Sequence, residues 1–162
     1  MAEDIVRAFG FLCLGTRMKR IGERLQADTQ KIMDEMEVGI GASQYPVLAA
    51  IDRLGPLTIG DLAEAVGITQ PGVTRSIAQL VDLGLLRAEQ TAGDQRRKIV
   101  SLSEKGQKLI DAAKSQVWPR IEGAVVDLCG KLDGPLLQQL NAIEDGLAAQ
   151  PLDRRKQRLS NK

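Results

Sequence analysis

Apolar residues recur at helical spacing through most of the chain and switch to partial alternation over one short stretch. Ile59, Leu62, Ala63 and Val66 mark one face of a short helix. Thr58 is placed to cap its start, and Gly67 follows directly, as a residue that tolerates positive φ should at a helix end. Ile68 is expected to plug the turn. Thr69 then caps a second helix with Pro71 in its first turn, where a missing N–H costs nothing. This second helix should bury Val73, Ile77, Leu80 and Val81, and should expose Gln70, Gly72, Thr74, Arg75, Ala78 and Gln79. Gly84 ends it. Leu85 to Gln90 and Arg97 to Leu102 then read as the strands of a hairpin, with a turn-prone loop from Thr91 to Arg96 between them.

On either side the helical period returns. Residues from about Asp4 to Glu37 read as one long helix, its stripe running through Ile5, Phe9, Leu12, Cys13 and Thr16 and on to Met18, Ile21, Leu25, Ile32 and Met36. A stripe that long needs more cover than one small lobe offers, so a second subunit is expected against it. Gly39 and Gly41 break the pattern. Ser43 is the expected cap of the next helix, which carries Pro46 in its first turn and turns Tyr45, Val47, Leu48 and Ile51 inward. After the hairpin, Ser103 caps a long helix with apolar positions from Leu109 to Leu128, and Pro119 inside it predicts a kink about one turn earlier. Gly130 to Pro135 makes a break. Leu136, Leu137, Leu140, Ile143 and Leu147 define a last amphipathic helix.

Helix, tight turn, helix and basic hairpin together predict a winged helix-turn-helix, a device for reading duplex DNA. Small side chains on the second helix let its backbone approach a groove, and polar ones offer donors and acceptors to base edges. By itself that face is equally an ordinary solvated surface. The hairpin adds Arg96, Arg97 and Lys98 in succession, a run suited to a narrow, electronegative minor groove or to the phosphates beside it. Three basic residues also occur as a plain solvated cluster.

VGITQPGVTRSIAQLVDLGLL followed by GDQRRKIVSLSEKG resembles the MarR (multiple antibiotic resistance regulator) family of bacterial transcription factors. The family's wing pattern, Asp-x-Arg followed by a strand ending in Leu-Ser/Thr, is matched by Asp94-Gln95-Arg96 through Leu102-Ser103. The resemblance extends over nearly the whole chain, long terminal helices included. It implies a mainly α fold with a small β wing. Residues 1–37 and 104–150 would be dimerisation helices of a single domain, and residues 43–103 its DNA-binding lobe. It further implies that Arg96 enters the minor groove and that Asp94 orients a neighbouring arginine, either Arg75 or Arg97. Major-groove contacts would fall on Thr69, Gln70, Gly72, Thr74, Arg75 and Gln79, and Arg97 and Lys98 would join the wing contacts. A homodimer on a pseudo-palindromic operator, acting as a repressor released by a small aromatic ligand, follows from the same resemblance. By position, Met33, Met36, Tyr45 and Trp118 line the family's ligand cleft here, unless they are simply core. Cys13 falls near the peroxide-sensing cysteine of one branch, yet the first helix lacks the tyrosines that accompany it there, and a structural cysteine is the other reading.

Composition narrows the alternatives. Two Phe, one Tyr and one Trp make any core aliphatic. The net charge is +1, so affinity for nucleic acid must come from local arginines. With no histidine the commonest general base and metal ligand are gone, and no phosphate-cradling glycine loop replaces them; neither an enzyme nor a metal or other cofactor is expected. Cys13 and Cys129 lie too far apart for a metal-binding spacing and suit a reducing cytoplasm. Gly10 to Gly15 is too short to span a bilayer, and acidic Glu3 and Asp4 are the wrong flank for a secretory signal, so no membrane partner is expected. The polar tail, 151–162, contains Arg154, Arg155, Lys156 and Arg158 and is expected to be a disordered basic end, able at most to add counterion-release affinity. A protein-interaction module built on the same winged helix remains the competing class.

Overall fold

A computed structural model describes residues 2–35, 37, 39–91, 94–130 and 132–152, without the side chains of residues 91 and 94–97. Met36, the side chains of Asp94, Arg96 and Arg97, and the tail from residue 153 therefore lie outside the described residues. The chain divides into two compact units, 1–122 and 123–162. Its elements are α1 (Ile5–Ala8), α2 (Leu14–Glu35), α3 (Tyr45–Leu54), β1 (Leu57–Thr58), α4 (Ile59–Val66), α5 (Gln70–Asp82), β2 (Leu86–Thr91), β3 (Asp94–Leu102), α6 (Glu104–Ala112), α7 (Trp118–Cys129) and α8 (Leu136–Ala149).

The first helix is not continuous. α1 ends at Ala8, Gly10 takes φ +53°, and a 3₁₀ turn over Gly10–Cys13 leads into α2. A backbone with positive φ cannot stay in a right-handed helix. The break lets the N-terminus return to α2: Asp4 caps α1 through the Arg7 N–H and takes a bidentate hydrogen bond from Arg20, both contacts with Arg20 at 3.0 Å. In an unbroken helix those two residues would stand about 24 Å apart. Arg20 holds the Asp4 carboxyl below its ordinary value.

Ser43 does not cap α3. A 3₁₀ turn, Ala42–Gln44, runs into the helix, and the Gly41 N–H is taken by the Gln44 side chain at 2.9 Å. Tyr45, Val47, Leu48 and Ile51 do face inward. They form one aliphatic core with Met33, Leu62, Val73, Ile77, Leu80, Leu85, Leu86, Val100, Ile110, Ala113 and Val117. Val81, expected inside, is exposed at the edge of α5, and Ile68 is likewise exposed.

The hairpin gains a third strand. Leu57 pairs with Val100 and Thr58 with Ile99, giving the antiparallel order β1-β3-β2. Two residues are too short for any periodic signal, so the strand was invisible to pattern reading. Thr58 both pairs in the sheet and caps α4, its Oγ1 accepting from the Asp61 N–H at 3.2 Å. The wing strands also depart from expectation: β2 keeps six residues but starts at Leu86 and ends at Thr91, leaving Leu85 outside it, and β3 is longer, with Asp94, Gln95 and Arg96 belonging to it rather than to a loop.

Ser103 behaves as the sequence requires. Its Oγ accepts from the Gly106 N–H at 3.0 Å and donates to the Gly84 carbonyl at 2.6 Å. The kink expected before Pro119 is a π turn over Ala113–Val117, closed by the Trp118 N–H on the Ala113 carbonyl. Pro119 has no N–H, and its ring crowds the carbonyl four residues back, so widening the preceding turn relieves it. The second unit holds the end of α7, a break from Gly130 to Pro135 with Gly134 at φ +86°, and α8. No residue of α7 or α8 is fully buried.

Candidate nucleic-acid interface

α4 and α5 are held by the same device at their ends. After α4, the Gly67 N–H meets the Glu64 carbonyl and the Ile68 N–H the Ala63 carbonyl, both at 3.2 Å. After α5, the Gly84 N–H meets the Val81 carbonyl and the Leu85 N–H the Leu80 carbonyl, both at 2.8 Å. These are paired Schellman closures, with the glycines at φ +69° and +70°. Lys105 Nζ adds a cation at the C-terminus of α5, donating to the Leu83 carbonyl at 2.9 Å. At the start of α5, Thr69 Oγ1 accepts from the Gly72 N–H at 3.4 Å.

With its ends fixed, α5 buries Val73, Ile77 and Leu80 and turns its other face outward. Thr69, Gln70, Thr74, Arg75, Ala78 and Gln79 are exposed there, and Gly72 is half-buried. Two of the polar groups already have intramolecular partners. Thr74 Oγ1 donates to the Gln70 carbonyl at 2.8 Å, which uses its one proton and leaves the hydroxyl only as an acceptor. Gln79 Oε1 accepts from Gln44 Nε2 at 2.7 Å. Gln44, half-buried just before α3, was missed by sequence reading. The available clue was a polar residue directly before an inward-facing tyrosine.

On the wing, the ladder runs in register from Leu86–Leu102 to Gln90–Lys98 and then slips to Thr91–Asp94. Over that step β2 advances one residue and β3 advances four, so Gln95, Arg96 and Arg97 fall in the irregularity. Lys98 is exposed opposite Gln90.

The other candidates are carried by other elements than α5. Met33 and Tyr45 are buried in the core and Trp118 is half-buried against it. Tyr45 and Trp118 meet edge to face with centroids 6.4 Å apart. The Tyr45 hydroxyl is buried without a hydrogen-bond partner among the described residues, and burial raises its pKa. Asp52, also unforeseen, stands on α3. It takes Lys114 Nζ at 2.6 Å and Gln107 Nε2 at 3.1 Å, tying α3 to α6 and the π turn. Cys13 is half-buried in the 3₁₀ turn before α2. Among the described residues no group of three Cys, Asp or Glu is gathered to hold a metal ion. No described helix is long and apolar enough to cross a membrane.

A helix pair closed by glycine turns, an outward second helix and a three-stranded wing define a winged helix-turn-helix protein. The model of the MarR family matches residues 38–97, the span from the loop before α3 to the wing. An uncharacterized HTH-type transcriptional regulator of Mycobacterium leprae (strain TN) is 35% identical over 81 residues, 49% of this chain and 57% of the relative. The chain thus spans little more than half the length of the first curated relatives it matches. FarR of Neisseria gonorrhoeae, an HTH-type transcriptional regulator, is 28% identical over 129 residues, 77% of this chain and 86% of FarR. In fold, the chain is similar to a cysteine-to-serine mutant of MarR from E. coli complexed with operator DNA (TM-score 0.70, 17% identity, 90% of this chain and 99% of that one). It is also similar to the transcriptional regulator MosR of M. tuberculosis in complex with DNA (TM-score 0.69, 21% identity, 85% and 96% covered).

Proposed function

We propose that the chain is a transcriptional regulator of the cytoplasm that binds duplex DNA as a homodimer and performs no catalysis. The observation that carries this reading is the outward face of α5. Gln70, Thr74, Arg75, Ala78 and Gln79, small or hydrogen-bonding and with one positive charge, stand exposed on a helix whose two ends are pinned. The positions assigned to the groove are Thr69, Gln70, Gly72, Thr74, Arg75 and Gln79. Asp94, Arg96, Arg97 and Lys98 would work from the wing.

Dimerisation is supported by apolar surface that a lone chain leaves in water. Phe9, Phe11 and Leu12 are exposed around the turn before α2, Phe11 at 93% and Leu12 at 82%. In the second unit Val126, Leu128 and Leu137 are exposed as well. Large apolar groups exposed in series mark an interface rather than a free surface. A twofold dimer would set its two reading helices about 34 Å apart, one turn of the duplex, and so favour a pseudo-palindromic operator.

Release by a small aromatic ligand fits the Tyr45 ring against Trp118 and its hydroxyl, which has no partner among the described residues. Structural neighbours include NadR in complex with 4-hydroxyphenylacetate, at a TM-score of 0.58 and 23% identity. A ligand that favours a head spacing unmatched to one turn lowers affinity by its differential binding to the two shapes.

Selection of bound fragments from random duplex DNA tests the reading directly. Recovered sites should carry two half-sites one turn apart. The Arg96→Ala/Arg97→Ala variant should lose duplex binding. Retention of full affinity by that variant would favour a protein partner for the winged helix instead.

A further inference from the structure

The Gln44–Gln79 contact has a fixed direction. The Gly41 N–H can only donate, so the Gln44 atom it meets at 2.9 Å must be the oxygen. Gln44 Nε2 therefore points the other way, to Gln79, and the atom it meets at 2.7 Å must in turn be an acceptor, Gln79 Oε1. One backbone amide thus sets the orientation of two side-chain amides that are 35 residues apart in sequence. Gln79 is exposed, and its Nε2 meets no acceptor among the described residues.

We propose that Gln44 is a positioning residue that holds Gln79 with its N–H donors outward, making that position of the reading face selective for a hydrogen-bond acceptor on DNA. The inference rests on the DNA-binding reading above and adds to it a polarity at one position. A free glutamine amide reads adenine by offering its oxygen to N6 and its nitrogen to N7. With the oxygen turned to Gln44, only donors remain. The matching partners are purine N7, guanine O6, thymine O4 or a phosphate oxygen.

The loop that carries Gln44 is itself referenced to α2. The Ala42 N–H donates to Gln30 Oε1 at 2.6 Å, and Gln30 Nε2 then reaches Asp34 Oδ1 at 2.8 Å and the Ile40 carbonyl at 3.4 Å. The outward donors of Gln79 are therefore registered to α2 through two backbone amides of one short loop.

The test is a double-mutant cycle on a duplex selected by the wild-type chain, with Gln79→Ala, with Gln44→Met to keep volume, and with both. Each single change should weaken binding about 3- to 10-fold, the worth of one hydrogen bond, and the double variant should be no weaker than Gln79→Ala alone. Replacing purines in the site with 7-deaza analogues, guanine with 2-aminopurine, thymine with 4-thiothymine, and single phosphates with methylphosphonates, separates a base acceptor from a backbone one. One such replacement should weaken the wild type and leave the Gln44→Met chain indifferent. Multiplying losses in the double variant, or a folded Gln44→Met chain with wild-type affinity, would overturn the relay while leaving DNA binding intact. A wild-type chain that retains no duplex from the random pool would overturn the functional reading and the relay together.

Discussion

The rings of Tyr45 and Trp118 meet at 68°, and the Tyr45 hydroxyl is buried where no described residue accepts its proton. A buried hydroxyl left without a partner costs about 1–3 kcal/mol. Tyr45→Phe should therefore raise stability by about 1 kcal/mol, measured by urea unfolding at neutral pH. Burial raises the Tyr45 pKa above its ordinary 10.0, so the fold favours the neutral phenol. That preference is present below pH 10 and is lost as pH rises through the raised folded value; the Phe variant should lack this decline. If a phenolic or carboxylate ligand uses the hydroxyl, the same substitution should abolish its quenching of Trp118, the one tryptophan of the chain. Unchanged quenching would remove Tyr45 from the ligand cleft.

Asp52 gives a second pH prediction with the opposite sign. The hydrogen bond from Lys114, then that from Gln107, hold its carboxyl below the ordinary 3.8. A carboxylate depressed in the folded state contributes stability above pH 3.8 and loses it as pH falls through its lower folded value. Lys114 is partly exposed, so solvent screening limits the pair to about 1 kcal/mol. Asp52→Asn should be less stable than wild type by that amount at neutral pH, and the gap should close in acid, as pH falls below the ordinary carboxylate range. A constant gap would mean that packing, not charge, is what the substitution disturbs.

The reading lobe was legible because its signals are local. Thr58, Thr69 and Ser103 cap helices through contacts three residues on, and Gly67 and Gly84 close them within six, so each leaves a mark in the nearby sequence. Periodicity also placed Val73, Ile77 and Leu80 inside. What stayed hidden depends on residues distant in sequence or on a single dihedral. β1 exists only because β3 comes alongside it. The break in the first helix hangs on Gly10 taking positive φ, which an uninterrupted apolar stripe gave no reason to expect. Gln44 and Asp52 acquire their roles from partners 35 and 55 positions away. Val81 lies one position beyond the buried stripe and turns outward.

Gly106 is fixed by close approach rather than by dihedral freedom. A Cβ there would collide with the Leu85 carbonyl oxygen and press on Leu102 Cδ2 at 3.3 Å. That carbonyl already accepts the Ser103 N–H at 3.0 Å, so it cannot simply swing away. Gly106→Ala should destabilise by about 1–3 kcal/mol despite alanine's better helix propensity. Differential scanning calorimetry of the pair would show it, and an equal or higher unfolding temperature for the variant would contradict the packing of α6 on the turn after α5.

On DNA, the helix and the wing should fail in different ways. Thr74 and Arg75 stand in the middle of the outward face of α5, where a side chain that reads a base edge contributes about 1–3 kcal/mol of discrimination. Thr74→Ala or Arg75→Ala should therefore weaken cognate binding by that amount and barely change binding to random duplex. Arg96, in the slipped part of β3, is assigned to the minor groove or its phosphates. Arg96→Ala should weaken cognate and random DNA alike and reduce the salt slope by about one. Titrations of both duplexes at several salt concentrations separate the two patterns. Equal losses on cognate and random DNA for the helix variants would mean that α5 positions the protein without specifying sequence, and selectivity would then have to come from the wing or from the shape of the duplex.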